Sequence, residues 1–374
     1  PPSFQAEDGI RDLVLSLVGS EMCIRDRSLP VGSPDDLEPF EGMLVTFPQS
    51  LFISEYFNFD RFGEIVLTTE RQYQPTAIHD PGSPEAAALA DANRLSRITL
   101  DDGRTTQNPD PAIHPNGLEF DLTNLFRGGD TVANVTGVLD YAFSLYRIQQ
   151  TQGADYTAVN LRPATPPDVG GNLTGASFNV LNYFTTIDTG ARVCGPAADL
   201  GCRGADTAEE FTRQRAKIIA AIAAIDADVV GLMEIENFAA AAGAGTDAPL
   251  NDLVDGLNAA VGAGTYDSVD TGAIGTDAIK VAFIYKPATV SLAGGFAILD
   301  SSVDPDFLDD YNRPTLAQTF QHTGTGGLVT VAVNHLKSKG SPCDAVGDPD
   351  TGDGSGNCNL TRLAAAEAMV DWLA

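Results

Sequence analysis

Basic residues are scarce in this chain: 22 Lys and Arg stand against 51 Asp and Glu, a net charge of -29. Such a surplus repels polyanions at long range. It counts against nucleic-acid partners unless cations bound in a site invert the local field, or high ionic strength cuts the screening length to a few ångströms. The same acidity suits solubility in a salty or extracellular medium. No apolar run approaches the roughly 20 residues of a membrane-spanning helix, so no membrane partner is expected. There is no internal repeat, and no low-complexity tract beyond a Gly/Asp-rich loop near residue 350. No C-x2-C pair occurs among the five cysteines, which disfavours a four-cysteine zinc site. What is present is 43% hydrophobic residues with 37 Gly and 22 Pro, a composition of loop-rich globular domains that excludes a coiled coil or a wholly disordered chain. A length of 374 residues suggests two domains.

Cys194 with Cys202 and Cys343 with Cys358 are short-spaced pairs among Gly, Pro and Asp, as in disulfides that staple loops. An oxidising, extracellular location follows as an expectation, with Cys23 left over. Residues 6–27, AEDGIRDLVLSLVGSEMCIRDR, resemble translated sequencing-adapter read-through found in metagenome-derived reading frames, so 1–27 is expected to be non-native. The apolar stretch Leu13 to Val18 is short and preceded by Glu7, Asp8 and Asp12, which argues against a signal peptide in this chain. At the other end, Asn359 can cap a helix from about Leu360, with Leu363, Ala366, Val370 and Leu373 at helical spacing. No stop signal follows, so a C-terminally incomplete domain is expected.

Between these ends the rhythm changes once. Short apolar runs broken by turn residues (42–47, 64–68, 97–100, 130–139) predict a small all-β domain over 35–161. The run RPATPPDVGG at 162–171 reads as a linker. From 172 to 374 strand and helix patterns alternate: a strand over 177–183, and a helix opened by a Thr207/Glu210 capping box with Phe211, Ile218, Ile219, Ile222 and Ile225 on one face. A buried strand over 228–233, a helix over 250–261 and strands over 279–285 and 328–335 follow. This order predicts an α/β (α+β) domain.

Strand ends in α/β sheets are where sites are commonly built. There stand Asn179 with Asn182, Glu234 with Glu236 and Asn237, Arg313, and Asn334 with His335. Phosphodiester hydrolysis gives the combination a purpose, because its barrier is high and its transition state spreads negative charge over phosphate oxygens. Glu234 could hold Mg²⁺, which accepts one or two carboxylates plus waters and phosphate. Arg313 could pair with phosphate, Asn179 could donate to an equatorial oxygen, and His335 could donate to the developing charge. Lys337 and Lys339 add local positive charge. Asp348, Asp350, Asp353 and Asn357 could suggest a calcium loop, but their spacing is not that of an EF-hand, and a solvated loop closed by Cys343 and Cys358 is the preferred reading.

The blocks SFNVLNYFTT (177–186), RGADTAEEFTRQRAKI (203–218), DADVVGLMEIEN (226–237), GTDAIKVAFIYKP (275–287), NRPTLAQTF (312–320), VNHLKSKGS (333–341) and GNCNLTR (356–362) resemble extracellular nucleases of ExeM/NucH type. These belong to the endonuclease/exonuclease/phosphatase (deoxyribonuclease I-like) superfamily. EGMLVTFP (41–48) and TVANVTGVLDYAFSLYRIQ (131–149) are similar to the OB-like region that precedes the catalytic domain there. The resemblance implies an OB-like β domain followed by a partial four-layer α/β sandwich, secreted and acting on DNA or, alternatively, RNA; a protein partner is not among its implications. Mg²⁺ or Mn²⁺ is the implied cofactor, with Ca²⁺ an alternative. It implies that Asn179 contacts the scissile phosphate and its metal, that Glu234 is the principal metal ligand, that Arg313 lies near the site and that His335 is a catalytic histidine. Asn182, Asn237, Asp277, Lys280, Asn334 and Lys337 are supporting candidates. The superfamily's Gly-Asp-Phe-Asn and Ser-Asp-His motifs do not occur here. Residues 1–374 are therefore expected to be inactive, lacking a base, a metal ligand and a histidine.

Two rivals stay open. The same fold could act on phospholipid head groups or phosphomonoesters. The β domain could instead be a non-catalytic nucleic-acid or glycan-binding module using Tyr141, Phe143 and Tyr146, in a segment that is not basic.

Overall fold

The computed structural model describes residues 24–238 and 247–374, and Cys23 lies outside them. The chain divides into two compact units, residues 1–162 and 163–374.

In the first unit nine strands are β1 (Arg25–Asp26), β2 (Leu44–Phe47), β3 (Leu51–Glu55), β4 (Ile65–Thr68), β5 (Arg97–Asp101), β6 (Thr131–Ala133), β7 (Val135–Ala142), β8 (Leu145–Gln150) and β9 (Asp155–Thr157). They form one sheet in the order β1-β2-β7-β8-β5-β4-β3-β6-β9, whereas an OB barrel has five strands. Val45 and Phe47 of β2 share a core with Leu51 and Ile53 of β3 and Ile98 of β5, so the sheet curls around a single interior. The strand expected over 130–139 breaks at Asn134, whose φ of 54° is tolerated by a short polar side chain. Besides the single turn α1 (Phe59–Phe62), this unit contains a helix that the all-β reading missed, α2 (Pro84–Leu95). Its signal was local: the Ser83 side chain accepts from the Ala86 N–H, and Pro84 follows as the first helical residue. Tyr141 and Phe143 are exposed, while the Tyr146 hydroxyl donates to Glu38.

The second unit is layered. β10 (Gly175–Tyr183) runs parallel to β13 (Val229–Glu236), joined through helix α3 (Ala208–Ile225), and β11 (Arg192–Cys194) with β12 (Leu200–Gly201) forms a small hairpin in that crossover. β15 (Ile279–Tyr285) pairs antiparallel with β13 and with β14 (Asp267–Ser268), completing the order β10-β13-β15-β14. In a second sheet, β18 (Arg313–His322) pairs antiparallel with β16 (Val290–Leu292), β17 (Ala297–Leu299) and β19 (Leu328–His335).

Side-chain alternation on β13 and β15 explains the stacking. Val230, Leu232, Ala282 and Ile284 face Ile218 and Ile222 of α3 and Leu250, Leu253 and Leu257 of α4 (Ala248–Val261). Val229, Val281 and Phe283 face Leu316, Phe320 and Val333 of the second sheet. Burial on both faces is why DVVGLM and IKVAFIY read as continuous apolar runs. Gly231 suits the close approach of the sheets: a Cβ there would stand 3.2 Å from Val333, which would have to give way. Helix α5 (Asn359–Leu373) packs Ala365 and Ala368 on Leu299 and Phe307. The unit is an α/β sandwich with helix, sheet, sheet and helix layers.

Three local expectations are corrected. Glu210 reaches back to the Asp206 N–H, 3.1 Å, one residue before the Thr207 cap, so the box is not reciprocal. Cys358, not Asn359, is the cap position of α5, with no side-chain capping bond. The stripe Leu363, Val370 and Leu373 is exposed, and α5 buries its small-residue side because alanines let the helix approach Phe307 closely.

Both disulfides form, Cys194–Cys202 and Cys343–Cys358. In the loop between the second pair, Asp350 and Asp353 accept from nearby backbone N–H groups and Asp348 accepts from the Thr361 N–H at the start of α5. Replacing Cys343 and Cys358 by Ser is expected to cost about 3 kcal/mol by reopening that loop, read as a lowered urea midpoint. An unchanged midpoint would mean that the loop is held by its hydrogen bonds alone.

Candidate active site

Regular alternation would carry residue 234 toward the helix layer after Val230 and Leu232. Instead β13 slips register against both neighbours between Met233 and Ile235, and Ile235 takes the buried position. Glu234 is the extra residue, at φ 70°. Positive φ in a Glu costs on the order of 1–3 kcal/mol and persists only where surrounding contacts impose it; such strain clusters at functional sites. The adjacent strand is interrupted at the same level, with Leu181 at φ 52° and Asn182 at 53° before Tyr183 rejoins the core.

The two irregularities interlock. Asn179 Nδ2 donates to Glu234 Oε1 at 2.9 Å, and the Asn182 N–H donates to Oε2 at 3.0 Å. Gln214 of α3 donates to the Leu181 carbonyl at 2.7 Å, tying the helix to the bulged segment. His335, at the end of β19, places Nε2 3.6 Å from Glu234 Oε1. Burial and the Arg313 charge hold the His335 imidazole below its ordinary pKa, against the opposing pull of Glu234 and Asp277, so the neutral ring is favoured. Its Nδ1 is buried without a hydrogen-bond partner among the described residues.

A second cluster adjoins this one. Asp277 lies between two guanidiniums: Arg313 approaches Oδ2 with Nε at 2.9 Å and Nη2 at 2.7 Å, and Arg203 Nη2 reaches Oδ1 at 2.6 Å. Burial alone would raise the Asp277 carboxyl, but Arg313, Arg203 and the Ala278 N–H outweigh it and keep it below the usual range. Arg313 is the register partner of His335, which brings the clusters together. Arg203 was not singled out from sequence. Its signals were its place directly after Cys202 and inside a family-like block. Glu236 supports the neighbouring turn by accepting from the Thr185 and Thr186 N–H groups.

Among the other candidates, Asn237 donates to the carbonyls of Ile274 and Asp277 and so fixes the loop that presents Asp277. Asn334 accepts from the Thr315 hydroxyl, and the Lys337 N–H donates to Asn312. Lys280 is buried in an ion pair with Asp247, directed at that carboxylate and the Gly272 carbonyl. The structure thus brings Asn179, Asn182, Glu234, Asp277, Arg313 and His335 together, with Asn237 behind them, and engages Lys280, Asn334 and Lys337 in separate local contacts.

The donor set fits a hard divalent cation held weakly. Glu234 is partly exposed, and each of its oxygens keeps lone-pair capacity beyond the bond it accepts. Among the described residues there is no group of three or more His, Cys, Asp or Glu that could hold a metal. One carboxylate with an amide beside it suits Mg²⁺ or Mn²⁺, which retain waters, better than Ca²⁺ with six to eight oxygen ligands.

Residues 33–160 match a family described as a domain of unknown function (DUF8508). No curated protein matches the chain. Among solved structures, it is similar to an endonuclease/exonuclease/phosphatase family protein from Bacteroides thetaiotaomicron, with 17% identity and a TM-score of 0.34 over 54% of this chain and 57% of that one. It is also similar to the endonuclease/exonuclease/phosphatase from Bacteroides vulgatus, with 13% identity and a TM-score of 0.29 over 54% and 59% of the two chains. The human Nocturnin catalytic domain with bound sulfate anion gives 16% identity and a TM-score of 0.28 over 44% and 51%. The chain therefore spans between half and three-fifths of the length of these structures.

Proposed function

We propose that this protein is a secreted, metal-dependent phosphodiesterase that hydrolyses DNA, with RNA as the alternative polymer. The observation that carries the reading is Glu234, lifted out of its strand at positive φ and held between the Asn179 amide and the His335 imidazole. A structural carboxylate does not require such a backbone. Glu234 and Asn179 would hold the cation. When bound, a divalent cation supplies neutralisation of the charge that grows on the phosphate oxygens. Arg313 has its Nη1 outside the Asp277 pair and can donate to a phosphate oxygen, while Asp277 and Arg203 keep its guanidinium in place. Neutral His335 can donate a proton-bearing nitrogen to developing negative charge. The two disulfides support an oxidising, extracellular setting.

The resemblance assigns the base for the attacking water to a Gly-Asp-Phe-Asn motif, which residues 1–374 do not contain. General-base assistance is worth about 10² to 10⁴-fold, so turnover by residues 1–374 is expected to be at or below detection without it. Supercoiled-plasmid nicking registers a single cut per molecule and is the assay of choice. Plasmid DNA, RNA, sphingomyelin and a phosphomonoester should be compared at equal Mg²⁺, with the 374-residue chain and with any longer form that its gene encodes. Cleavage of the nucleic acids by a form that turns over, with no release from the lipid or monoester, is the expected outcome. Preference for sphingomyelin or the monoester would replace the polymer reading with that of a lipid- or monoester-directed hydrolase.

A further inference from the structure

An open groove of about 550 Å³ runs beside the site between α3 and β10, and Asn179, which holds Glu234, forms part of its wall. Its floor is apolar, made by Phe178, Val180 and Leu181, with Leu181 73% exposed. Along its rim stand Arg213 and Lys217, one turn apart on the exposed face of α3. Neither makes a hydrogen bond or ion pair with another described residue, whereas Arg215 on the same helix is bound to Asp252. Glu210 is the one acid in the lining, and it is engaged with the Asp206 N–H.

In a chain of net charge -29, two exposed cations without a protein partner among the described residues, on the groove that Asn179 lines, are free to meet an anion. Side chains at i and i+4 are neighbours about 5–6 Å apart at their Cβ atoms, which suits a repeating anion better than a solitary one. An apolar floor beside a cationic rim is the surface on which a single strand lies, bases on the floor and phosphates on the rim. We infer that Arg213 and Lys217 bind the DNA strand flanking the scissile phosphate, single-stranded as it leaves the site. This rests on the phosphodiesterase reading and adds to it a track for the polymer. It also gives an acidic protein a local means of holding a polyanion.

The test is a binding measurement that needs no turnover. A fluorescein-labelled single-stranded DNA 12-mer is titrated with the full chain in EDTA, and anisotropy is followed from low to moderate salt. For Arg213→Ala with Lys217→Ala, binding is expected to weaken roughly five- to tenfold, and the slope of log K against log salt to fall in magnitude by about 1.4, the value for two lost single-strand phosphate contacts. The double variant changes net charge by two against a background of -29, too little to alter long-range repulsion to that extent. Unchanged affinity and slope, or no binding by the unaltered chain, would overturn the track. So would binding to phosphatidylglycerol vesicles that depends on the same pair while the oligonucleotide does not. Binding of the strand through this pair, in a form that hydrolyses sphingomyelin or the phosphomonoester and not DNA, would leave the track standing and defeat the DNA-hydrolase reading alone.

Discussion

Glu234→Gln is expected to lower Mg²⁺-dependent DNA cleavage by about 10³-fold or more in a form that turns over, with the circular dichroism spectrum unchanged. The substitution keeps shape and removes one charge. That charge is the only carboxylate in contact with both Asn179 and His335 among the described residues, so no neighbour can take its place on a cation. Of the two hydrogen bonds, from Asn179 Nδ2 and from the Asn182 N–H, the single amide oxygen of Gln can accept one, and the NH2 at the other position faces a donor. Some stability should be lost, and much more metal affinity. Mn²⁺ binding, followed by the electron paramagnetic resonance signal of the free ion, provides a readout independent of turnover. Equal Mn²⁺ affinity in the Gln variant would remove Glu234 from the metal site, and full cleavage at limiting Mg²⁺ would remove it from the chemistry.

Asp247→Ala is expected to destabilise the second unit by about 3–5 kcal/mol, a large part of the stability of an ordinary domain. Lys280 and Asp247 are 1% and 2% exposed and form an ion pair, and Lys280 Nζ also donates to Thr271 Oγ1 at 3.1 Å and to the Gly272 carbonyl. Burial pulls the Lys280 ammonium below and the Asp247 carboxyl above their ordinary pKa values, each opposed by its partner. Removing Asp247 takes away the carboxylate that Lys280 directly contacts and leaves the buried ammonium opposed by the charge of Asp270, which costs more than the pair itself contributes. Lys280→Met together with Asp247→Leu should therefore recover most of the loss. Urea unfolding checks both. A cost under about 1 kcal/mol for Asp247→Ala would show that water or another group reaches the orphaned ammonium. Lys280 is the register partner of Ile235, next to the bulge, so loosening this pair should also raise hydrogen exchange around Glu234.

Much of the architecture was legible because it is written in short-range periodicity. The face of α3, the continuous apolar runs of β13 and β15 and the spacing of the cysteine pairs are properties of neighbouring residues, and each reappears in the structure. Local reading failed where sidedness or breaks mattered. It named the large apolar stripe of α5, although the helix packs by its alanines. It missed α2, whose cap was visible but whose surroundings read as strand.

For the candidate site, residue types at strand ends, together with a family resemblance, were enough to nominate Asn179, Glu234, Arg313 and His335 from the chain alone. Only the tertiary structure decided how they meet. The contacts joining Asn179 to Glu234, Arg203 to Asp277 and Asp277 to Arg313 span 55, 74 and 36 residues of sequence, and no local pattern encodes such pairings. The same holds for the bulge that turns Glu234 outward. A positive φ at Glu is unfavourable in isolation, so it exists only because register on both sides of β13 and the hydrogen bonds from β10 impose it.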